Sequence, residues 1–140
     1  GSRLLRVLKE ENDLIESIYV DINAGELGGL FIIEACCDKN NLRCVELKIK
    51  EIISEILGNK AITSSELRKA INIVKSNYVF NLETASQLCS FFGNDLLWGR
   101  KNSIKNLKIY FDYWNNLSHF QEVLDFLSSD KFTLIASSVK

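Results

Sequence analysis

Apolar residues recur along this chain with two different periods, and the two periods predict different secondary structures. Leu4, Leu5 and Leu8 share one side at helical spacing among charged residues, which predicts a short amphipathic helix over residues 3–11. Over residues 17–24 apolar and polar residues alternate, which is the period of a half-buried strand. Glycines then permit a turn, and the apolar run at residues 30–37 reads as a second strand. These segments together predict an antiparallel hairpin.

Apolar residues three and four positions apart dominate the middle of the chain and predict helices. Residues 38–41 offer capping side chains, and one helix is predicted over residues 42–57. Residues 63–66 (T-S-S-E) have the form of a capping box, in which a hydroxyl and a carboxylate satisfy the first free amides of a helix. A long helix is therefore predicted to begin there and to continue, with a bend near residues 81–85, as far as Gly99.

The last part of the chain predicts two further helices and a strand. Asn102 and Ser103 are predicted to cap one helix, Ser118 to begin another, and residues 131–137 to form a closing strand. Helices with apolar stripes can cover one face of such a sheet. The predicted fold class is α+β, a two-layer sandwich with a mainly antiparallel sheet covered on one face by helices. We expect residues 1–140 to be a single domain fragment.

Composition and charge narrow the possible partners. Apolar residues make up 46% of the 140 residues, which is enough for a packed core. The 17 basic and 18 acidic residues nearly cancel, so the chain lacks the basic excess typical of phosphate-backbone binding. No apolar run approaches the roughly 18 to 20 residues that a membrane span needs. We therefore expect neither a nucleic acid nor a membrane as partner.

The cysteines and the one histidine do not form a recognisable metal motif. Cys36, Cys37, Cys44 and Cys89 have spacings that match no zinc knuckle or ribbon, and they are expected to be reduced, buried thiols. His119 is the only histidine and is expected on a helix surface or at an interface. The expected reduced state of the cysteines slightly favours a reducing compartment, such as a bacterial cytoplasm or a mitochondrial matrix.

Residues capable of catalysis or ligand binding have simpler structural interpretations. The chain contains no nucleophile elbow, phosphate loop or zinc-binding histidine pair. The acidic cluster at residues 10–16 is expected to be a solvated helix end and strand start. Nine aromatic residues between Phe80 and Phe120 lie mostly at helical spacings and are expected to pack in the core. The segments at residues 98–100 and 110–114 are the expected exceptions and are candidates to face another domain.

Five short parts of the chain, in a fixed order, match segments of one protein family. They are S-R-L-L-R-V-L-K-E at residues 2–10, G-G-L-F at residues 28–31 with Cys37 and Asp38 at the end of that strand, T-S-S-E-L-R-K-A at residues 63–70, L-L-W-G-R at residues 96–100, and F-T-L-I-A at residues 132–136. In this order and spacing they resemble the insulinase, pitrilysin and mitochondrial processing peptidase family of inverted zinc peptidases. The resemblance covers nearly the whole chain and places it in the C-terminal part of the half that carries no zinc.

The resemblance implies a specific role for two residues. In that family two homologous halves enclose a chamber, one half binds zinc through an H-x-x-E-H helix, and the other contributes an Arg and a Tyr seven residues apart that hold the substrate. Alignment through Leu8 and Leu14 places Lys9 at the Arg position and Glu16 at the Tyr position. Lysine keeps the positive charge without the planar donor fork, whereas ionised glutamate can only accept hydrogen bonds and repels an oxyanion. Lys9 and Glu16 are therefore candidate substrate contacts, and we expect no catalytic or metal-ligating residue in this chain.

The resemblance also implies partners and a function. The chain is expected to be the non-catalytic half of a zinc metallopeptidase, forming chamber wall and substrate-peptide contacts for a zinc-bearing homologous half or subunit, in a dimer or oligomer. Zinc is expected in that partner half and no cofactor in this chain. An exposed sheet edge is expected to hold extended peptide by strand addition. Two alternatives remain open: a non-proteolytic structural or assembly subunit of the same fold, and a protein-interaction domain without a peptidase partner.

Overall fold

The fold has an α+β architecture, which confirms the predicted class. A computed structural model describes residues 2–25, 27–58, 60–80, 82–100, 103–119, 124–127 and 132–137. These residues divide into two compact units, residues 1–60 with 127–140, and residues 61–126. The expectation that the chain forms part of one peptidase-type domain remains a prediction.

The first unit opens with a short helix whose last turns are widened. Helix α1 (Arg3–Leu5) continues directly into a π-helical segment, Arg6–Glu11. The Ser2 hydroxyl accepts a hydrogen bond from the Leu5 N–H at 3.3 Å and so caps the first turn. Leu8 of this segment is fully buried. The predicted helix over residues 3–11 is confirmed, and its apolar side points into the core.

The two predicted strands form the expected hairpin. Strand β1 (Ser17–Gly25) pairs antiparallel with strand β2 (Gly28–Cys36), in a register that places Gly25 opposite Gly28. The turn was predicted over residues 25–29, but the strands extend to Gly25 and Gly28. The connection therefore consists of residues 26 and 27. A Cβ atom on Gly25 would lie 3.3 Å from the Gly28 carbonyl oxygen, which explains why glycine suits this close approach.

One long helix completes the first unit. The Asp38 side chain accepts a hydrogen bond from the Asn40 N–H at 2.8 Å and caps a 3-10 turn, Lys39–Asn41. Helix α2 (Leu42–Leu57) follows and ends just before Gly58, as predicted. Its apolar stripe supplies the buried residues Val45, Ile49, Ile52 and Ile53.

The core of the first unit lies between the helices and one face of the hairpin. It consists of Leu8, Ile15, Val45, Ile49 and Ile53. The half-buried residues that pack against this cluster are Leu4, Leu14, Ile18, Ile33, Cys37 and Leu127. Because Ile18 and Ile33 project from the same face of the hairpin, that face is the one covered by helices. We call it the inner face and the opposite one the outer face.

The second unit consists mainly of three helices. Helix α3 (Ser64–Phe80) begins at the predicted capping box, in which the Glu66 N–H donates to the Thr63 hydroxyl at 3.2 Å and the Thr63 N–H donates to the Glu66 carboxylate at 2.9 Å. The predicted long helix with a bend is wrong, because α3 ends at Phe80 and helix α4 (Ala85–Leu97) begins anew. A second capping box explains this break: Thr84 caps α4 together with Gln87.

The aromatic residues of the second unit are less buried than their spacing suggested. Phe80 is 61% exposed, and in the described part of this unit the buried residues are Leu67 and Ile71. Tyr78 contacts the rings of Phe91 and Phe111 edge to face, at centroid distances of 6.1 and 5.9 Å. The predicted aromatic core is therefore wrong for Phe80, since helical spacing groups side chains on one face without supplying what covers them. Trp98, Tyr110 and Tyr113 are exposed, as expected for the two exceptional segments.

The C-terminal part differs most from the prediction. Helix α5 (Ser103–Trp114) forms, although Asn102, a predicted cap, lies outside the described residues. Residues 117–119 are helical, and the Asn116 side chain, rather than Ser118, caps them by accepting from the Ser118 N–H at 3.1 Å. The rest of that predicted helix falls partly on residues 120–123, outside the described range, before a 3-10 turn at Leu124–Leu127.

The predicted closing strand is also wrong for the residues that the structure describes. Residues 132–137 form no strand, and the sheet of the described chain contains β1 and β2. The Phe132 ring instead lies 5.4 Å from the Lys50 ammonium of α2, a cation–π contact. A period-two pattern gives a segment the potential to form a strand, but only a partner strand with matching hydrogen bonds realises it.

Candidate functional site

The open edges of the hairpin are the most distinctive feature for binding. In the described chain β1 and β2 pair with each other, so the outer edge of each strand carries main-chain N–H and C=O groups that no other strand pairs. Such an edge is a template for one further extended chain. The hairpin therefore has the exposed sheet edge that the sequence led us to expect. Because both strands have such an edge, this observation does not decide which of them would bind a further chain.

The side chains of the hairpin leave an apolar surface beyond the covered part of the inner face. Ile22 is 63% exposed and Val20 is 41% exposed, while Ile18 packs against the core. On the outer face Tyr19 and Leu30 are 60% and 65% exposed. Contiguous exposed apolar surface commonly marks an interaction site. The end of the hairpin near the turn therefore protrudes from the core and can contact a bound chain with both faces.

The two candidate substrate contacts lie next to each other at the start of β1. The Lys9 ammonium donates a hydrogen bond to the Glu16 carbonyl oxygen at 2.6 Å. Both residues are exposed. This contact ties the π-helical segment to the first residue before the strand, and it uses one of the three ammonium donors. The remaining donors can still reach a carbonyl or carboxylate group of a bound peptide.

The Glu16 carboxylate has a separate partner on the other strand. The Cys36 thiol donates to Glu16 Oε2 at 3.6 Å, and the Glu16 N–H donates to the Cys36 carbonyl at 2.8 Å. The hydrogen bond to Glu16, and then the negative charge of Glu16, raise the pKa of the Cys36 thiol. A raised pKa keeps the thiol protonated at neutral pH, and the protonated thiol is a poor nucleophile. The contact with Glu16 therefore makes Cys36 a poor candidate for a nucleophile.

The cysteines and the histidine are placed differently from what the sequence suggested. All four cysteines are free, but Cys36, Cys44 and Cys89 are exposed and Cys37 is half-buried, so the expectation of buried thiols is wrong. Cys36 is the last residue of β2 and Cys37 follows it. Cys44 and Cys89 lie on the exposed faces of α2 and α4. Among the residues that the structure describes, no group of three or more His, Cys, Asp or Glu side chains is placed to hold a metal ion.

His119 lies in the other unit and contacts an aromatic ring. Its imidazole stacks on the Tyr113 ring with centroids 4.3 Å apart and planes 14° apart. Its Nδ1 atom is buried and has no hydrogen-bond partner among the described residues. The half-buried ring does not match the predicted helix-surface position, and the predicted interface position stays a prediction.

The described surface has one further depression outside the hairpin. A shallow, open depression on α4 is lined by Cys89, Ser90, Gly93, Asn94, Leu96 and Leu97. Its lining contains no charged group and no enclosed volume in which reacting groups could be desolvated. None of the described helices is long and apolar enough to cross a membrane. The hairpin with the adjoining Lys9–Glu16 contact therefore remains the candidate functional site.

Lys9 and Glu16 could be singled out from the sequence, whereas their contacts depend on the tertiary structure. The Cys36 thiol and Glu16 are 20 residues apart, and only the strand register brings them together. The open edges follow from the number of paired strands, which the period of the apolar residues does not reveal. The Thr84–Gln87 capping box, by contrast, was readable in the sequence as a hydroxyl residue three positions before Gln.

Comparison with known proteins found no matching family model, no matching curated protein and no matching solved structure. The resemblance to the insulinase and pitrilysin family thus depends on the sequence segments alone.

Proposed function

We propose that this chain is the non-catalytic half of a zinc metallopeptidase and that it holds an extended peptide along its hairpin for a zinc-bearing homologous half. The motif order of the sequence suggests the family. The observation that carries the binding role is the two-stranded hairpin with open edges and the exposed apolar residues Val20 and Ile22. A strand added to such an edge gains main-chain hydrogen bonds regardless of its sequence, and the neighbouring side chains then decide which peptides bind best.

The candidate contact residues fit a positioning role better than a chemical one. Lys9 can orient a peptide carbonyl or carboxylate with the donors that its bond to Glu16 leaves free. Glu16 carries a negative charge where the family has a phenol, so it opposes charge development on an oxyanion. In this proposal the zinc and the attacking water belong to the partner half, and the present chain contributes binding and orientation.

Cleavage of an internally quenched peptide library provides the test. The full-length protein is combined with its zinc-bearing half, with and without a chelator, and the omission of either half is the control. We expect cleavage that the chelator abolishes and that falls when the non-zinc half is left out. The variant Lys9→Ala should raise KM more than it lowers kcat, because it removes a contact made to bound peptide. Lys9→Arg is the matched control that keeps the cation.

The opposite result has a clear meaning. If no pairing cleaves any peptide although both halves are folded and zinc is bound, the peptidase role is refuted. If cleavage is unchanged without the present chain, the chain does not serve as the accessory half.

An exposed surface on the second unit favours one alternative, a structural or assembly subunit of the same fold. Leu96, Leu97 and Trp98 at the end of α4 are 75%, 84% and 51% exposed. Surfaces of this kind are commonly covered in an assembly. A stable complex that contains this chain and forms without any peptidase activity would support this alternative over the accessory half.

A further inference from the structure

The acidic and basic residues of this chain are separated along the sequence. Residues 10–38 contain eight acidic residues and no lysine or arginine. They are Glu10, Glu11, Asp13, Glu16, Asp21, Glu26, Glu34 and Asp38. The other residues therefore carry all 17 basic residues and the remaining 10 of the 18 acidic ones. The nearly neutral net charge thus conceals an acidic segment, in which Glu11 pairs with Arg6 at 3.2 Å and Asp21 and Glu34 lie on the strands of the hairpin.

The acidic side chains of α2 differ from those of the two strands in their partners. On α2, Glu46 contacts Lys50 at 2.6 Å, and Glu51 contacts Lys48 at 2.7 Å. Asp21 and Glu34 are exposed and have no ion-pair partner among the described residues. Glu46 and Glu51 of α2 are thus neutralised within the chain, whereas Asp21 and Glu34 of the two strands remain available to a partner.

The register places these two carboxylates on one face. Tyr19 lies opposite Glu34, and Asp21 lies opposite Ile32, so all four project from the outer face of the hairpin. Diagonal neighbours of this kind are roughly 7–8 Å apart, within reach of one long basic side chain. The exposed Tyr19 ring also presents a face that can accept a cation.

The two edges of the hairpin are not equivalent. Along β1, exposed Val20 and Ile22 lie on the inner face while Asp21 lies on the outer face. Along β2, the inner-face residues Phe31 and Ile33 are half-buried. An incoming strand beside β1 therefore meets uncovered apolar side chains on one face and a carboxylate on the other.

We propose that the outer edge of β1 binds an extended peptide whose residues alternate between apolar and basic side chains. This inference rests on the proposed strand addition and names the class of peptide that the edge selects. Because successive side chains of a strand point to opposite faces, the apolar set lies beside Val20 and Ile22 and the basic set beside Asp21 and Tyr19. In a peptide that alternates apolar and acidic residues, the acidic side chains would lie beside the Asp21 carboxylate, and this repulsion disfavours binding.

Binding of designed peptides to the 140-residue chain tests the proposal. Three blocked probes are compared by fluorescence anisotropy at low salt: alternating Lys-Val-Lys-Val-Lys-Val, alternating Glu-Val-Glu-Val-Glu-Val, and Lys-Lys-Lys-Val-Val-Val, which keeps the composition but not the pattern. We expect the alternating basic peptide to bind on the order of 10-fold more tightly than the acidic one, and the preference to shrink as ionic strength rises. The block peptide should bind less tightly than the alternating basic peptide, because it cannot place both sets on the correct faces.

Two matched variants assign the edge. Asp21→Asn keeps the shape and removes the charge on β1, and it should weaken the basic peptide by about 1.5- to 5-fold, the range for an exposed ion pair. Glu34→Gln, the same change on β2, should have the smaller effect. Glu10→Gln lies outside the hairpin and serves as the control that leaves local binding unchanged.

Different failures have different meanings. If none of the three peptides binds, the strand-addition part of the proposed function is refuted, and this inference with it. If the acidic and basic peptides bind equally, strand addition stands and the charge selection is wrong. If Glu34→Gln has the larger effect, the edge of β1 is not the binding edge.

Discussion

The packing of Leu8 gives the sharpest prediction about stability, because this side chain joins the N-terminal helix to the layer that supports the hairpin. Leu8 is 0% exposed and belongs to the cluster with Ile15, Val45, Ile49 and Ile53. The Leu8 carbonyl accepts a hydrogen bond from the Leu14 N–H at 2.8 Å, and truncation of the side chain leaves this main-chain bond in place. The substitution Leu8→Ala therefore isolates the contribution of packing.

The expected magnitude follows from the lost atoms and the space that they leave. Removing three buried carbon atoms costs about 2.4 kcal/mol at roughly 0.8 kcal/mol for each. The remaining cavity adds to this value, so the free energy of unfolding of this unit should fall by about 3–5 kcal/mol. Leu47→Ala is the matched control: this residue lies on α2 and is 52% exposed, and its truncation should change the free energy by less than about 0.5 kcal/mol.

Amide hydrogen exchange is the suitable assay, because both tryptophans lie in the other unit and their fluorescence does not report on this core. Exchange of the α2 amides, including those of Val45 and Ile49, should become at least 100-fold faster in Leu8→Ala, since each 1.4 kcal/mol corresponds to a factor of ten. A change of less than 10-fold, or one equal to that in Leu47→Ala, would refute the packing argument.

Three further predictions concern the helices. Thr84→Ala removes the capping box that begins α4 and should lower the free energy of unfolding by about 1 kcal/mol, measured by urea titration of tryptophan fluorescence, whereas an unchanged midpoint would contradict the cap. Gly99 has φ +63°, so Gly99→Ala should destabilise the protein by roughly 1–2 kcal/mol. Gly93 lies inside α4, where an added Cβ meets no atom within 4 Å, so Gly93→Ala should stabilise the protein by about 0.5–1 kcal/mol. Shifts of the melting temperature with the same sign in both variants would contradict this reasoning. The hydrogen bonds from Lys50 and then Arg43 lower the pKa of the Glu46 carboxyl, so its stabilising contribution is present above the ordinary Glu pKa and is lost as the pH falls through the lowered value. Glu46→Gln should therefore destabilise at pH 7, in urea titrations followed by circular dichroism, and its effect should shrink as the pH is lowered; an effect that does not depend on pH would contradict the assignment.

Local patterns predicted the elements whose ends are marked by their own side chains. Helix α2 has the predicted bounds because Asp38 caps the 3-10 turn that leads into it and Gly58 follows its last turn. The start of α3 was predicted because the side chains of Thr63 and Glu66 each accept a hydrogen bond from the main-chain N–H of the other residue, within four residues of the chain. The hairpin was predicted because glycines separate two apolar strands. Each of these features depends on interactions that stay within a few residues of the chain.

Features that depend on distant partners could not be predicted in the same way. Residues 132–137 have the alternation of a strand but lack a partner strand in the described structure. Phe80 has the helical spacing of a core residue and is mostly exposed. At the candidate site, the resemblance of short sequence segments to a peptidase family singled out Lys9 and Glu16, but the contact of Glu16 with Cys36 required the strand register.

The sequence by itself determined the α+β class, the hairpin, most helix starts and the strong negative charge of residues 10–38, because propensity, capping and charge are properties of neighbouring residues. The tertiary structure alone decided that both edges of the hairpin are open in the described part of the chain, that Val20 and Ile22 are uncovered, and that Lys9 and Cys36 both contact Glu16. Periodicity identifies which side chains share a face. Which faces are covered depends on how segments far apart in the chain pack, and that packing determines the candidate binding surface.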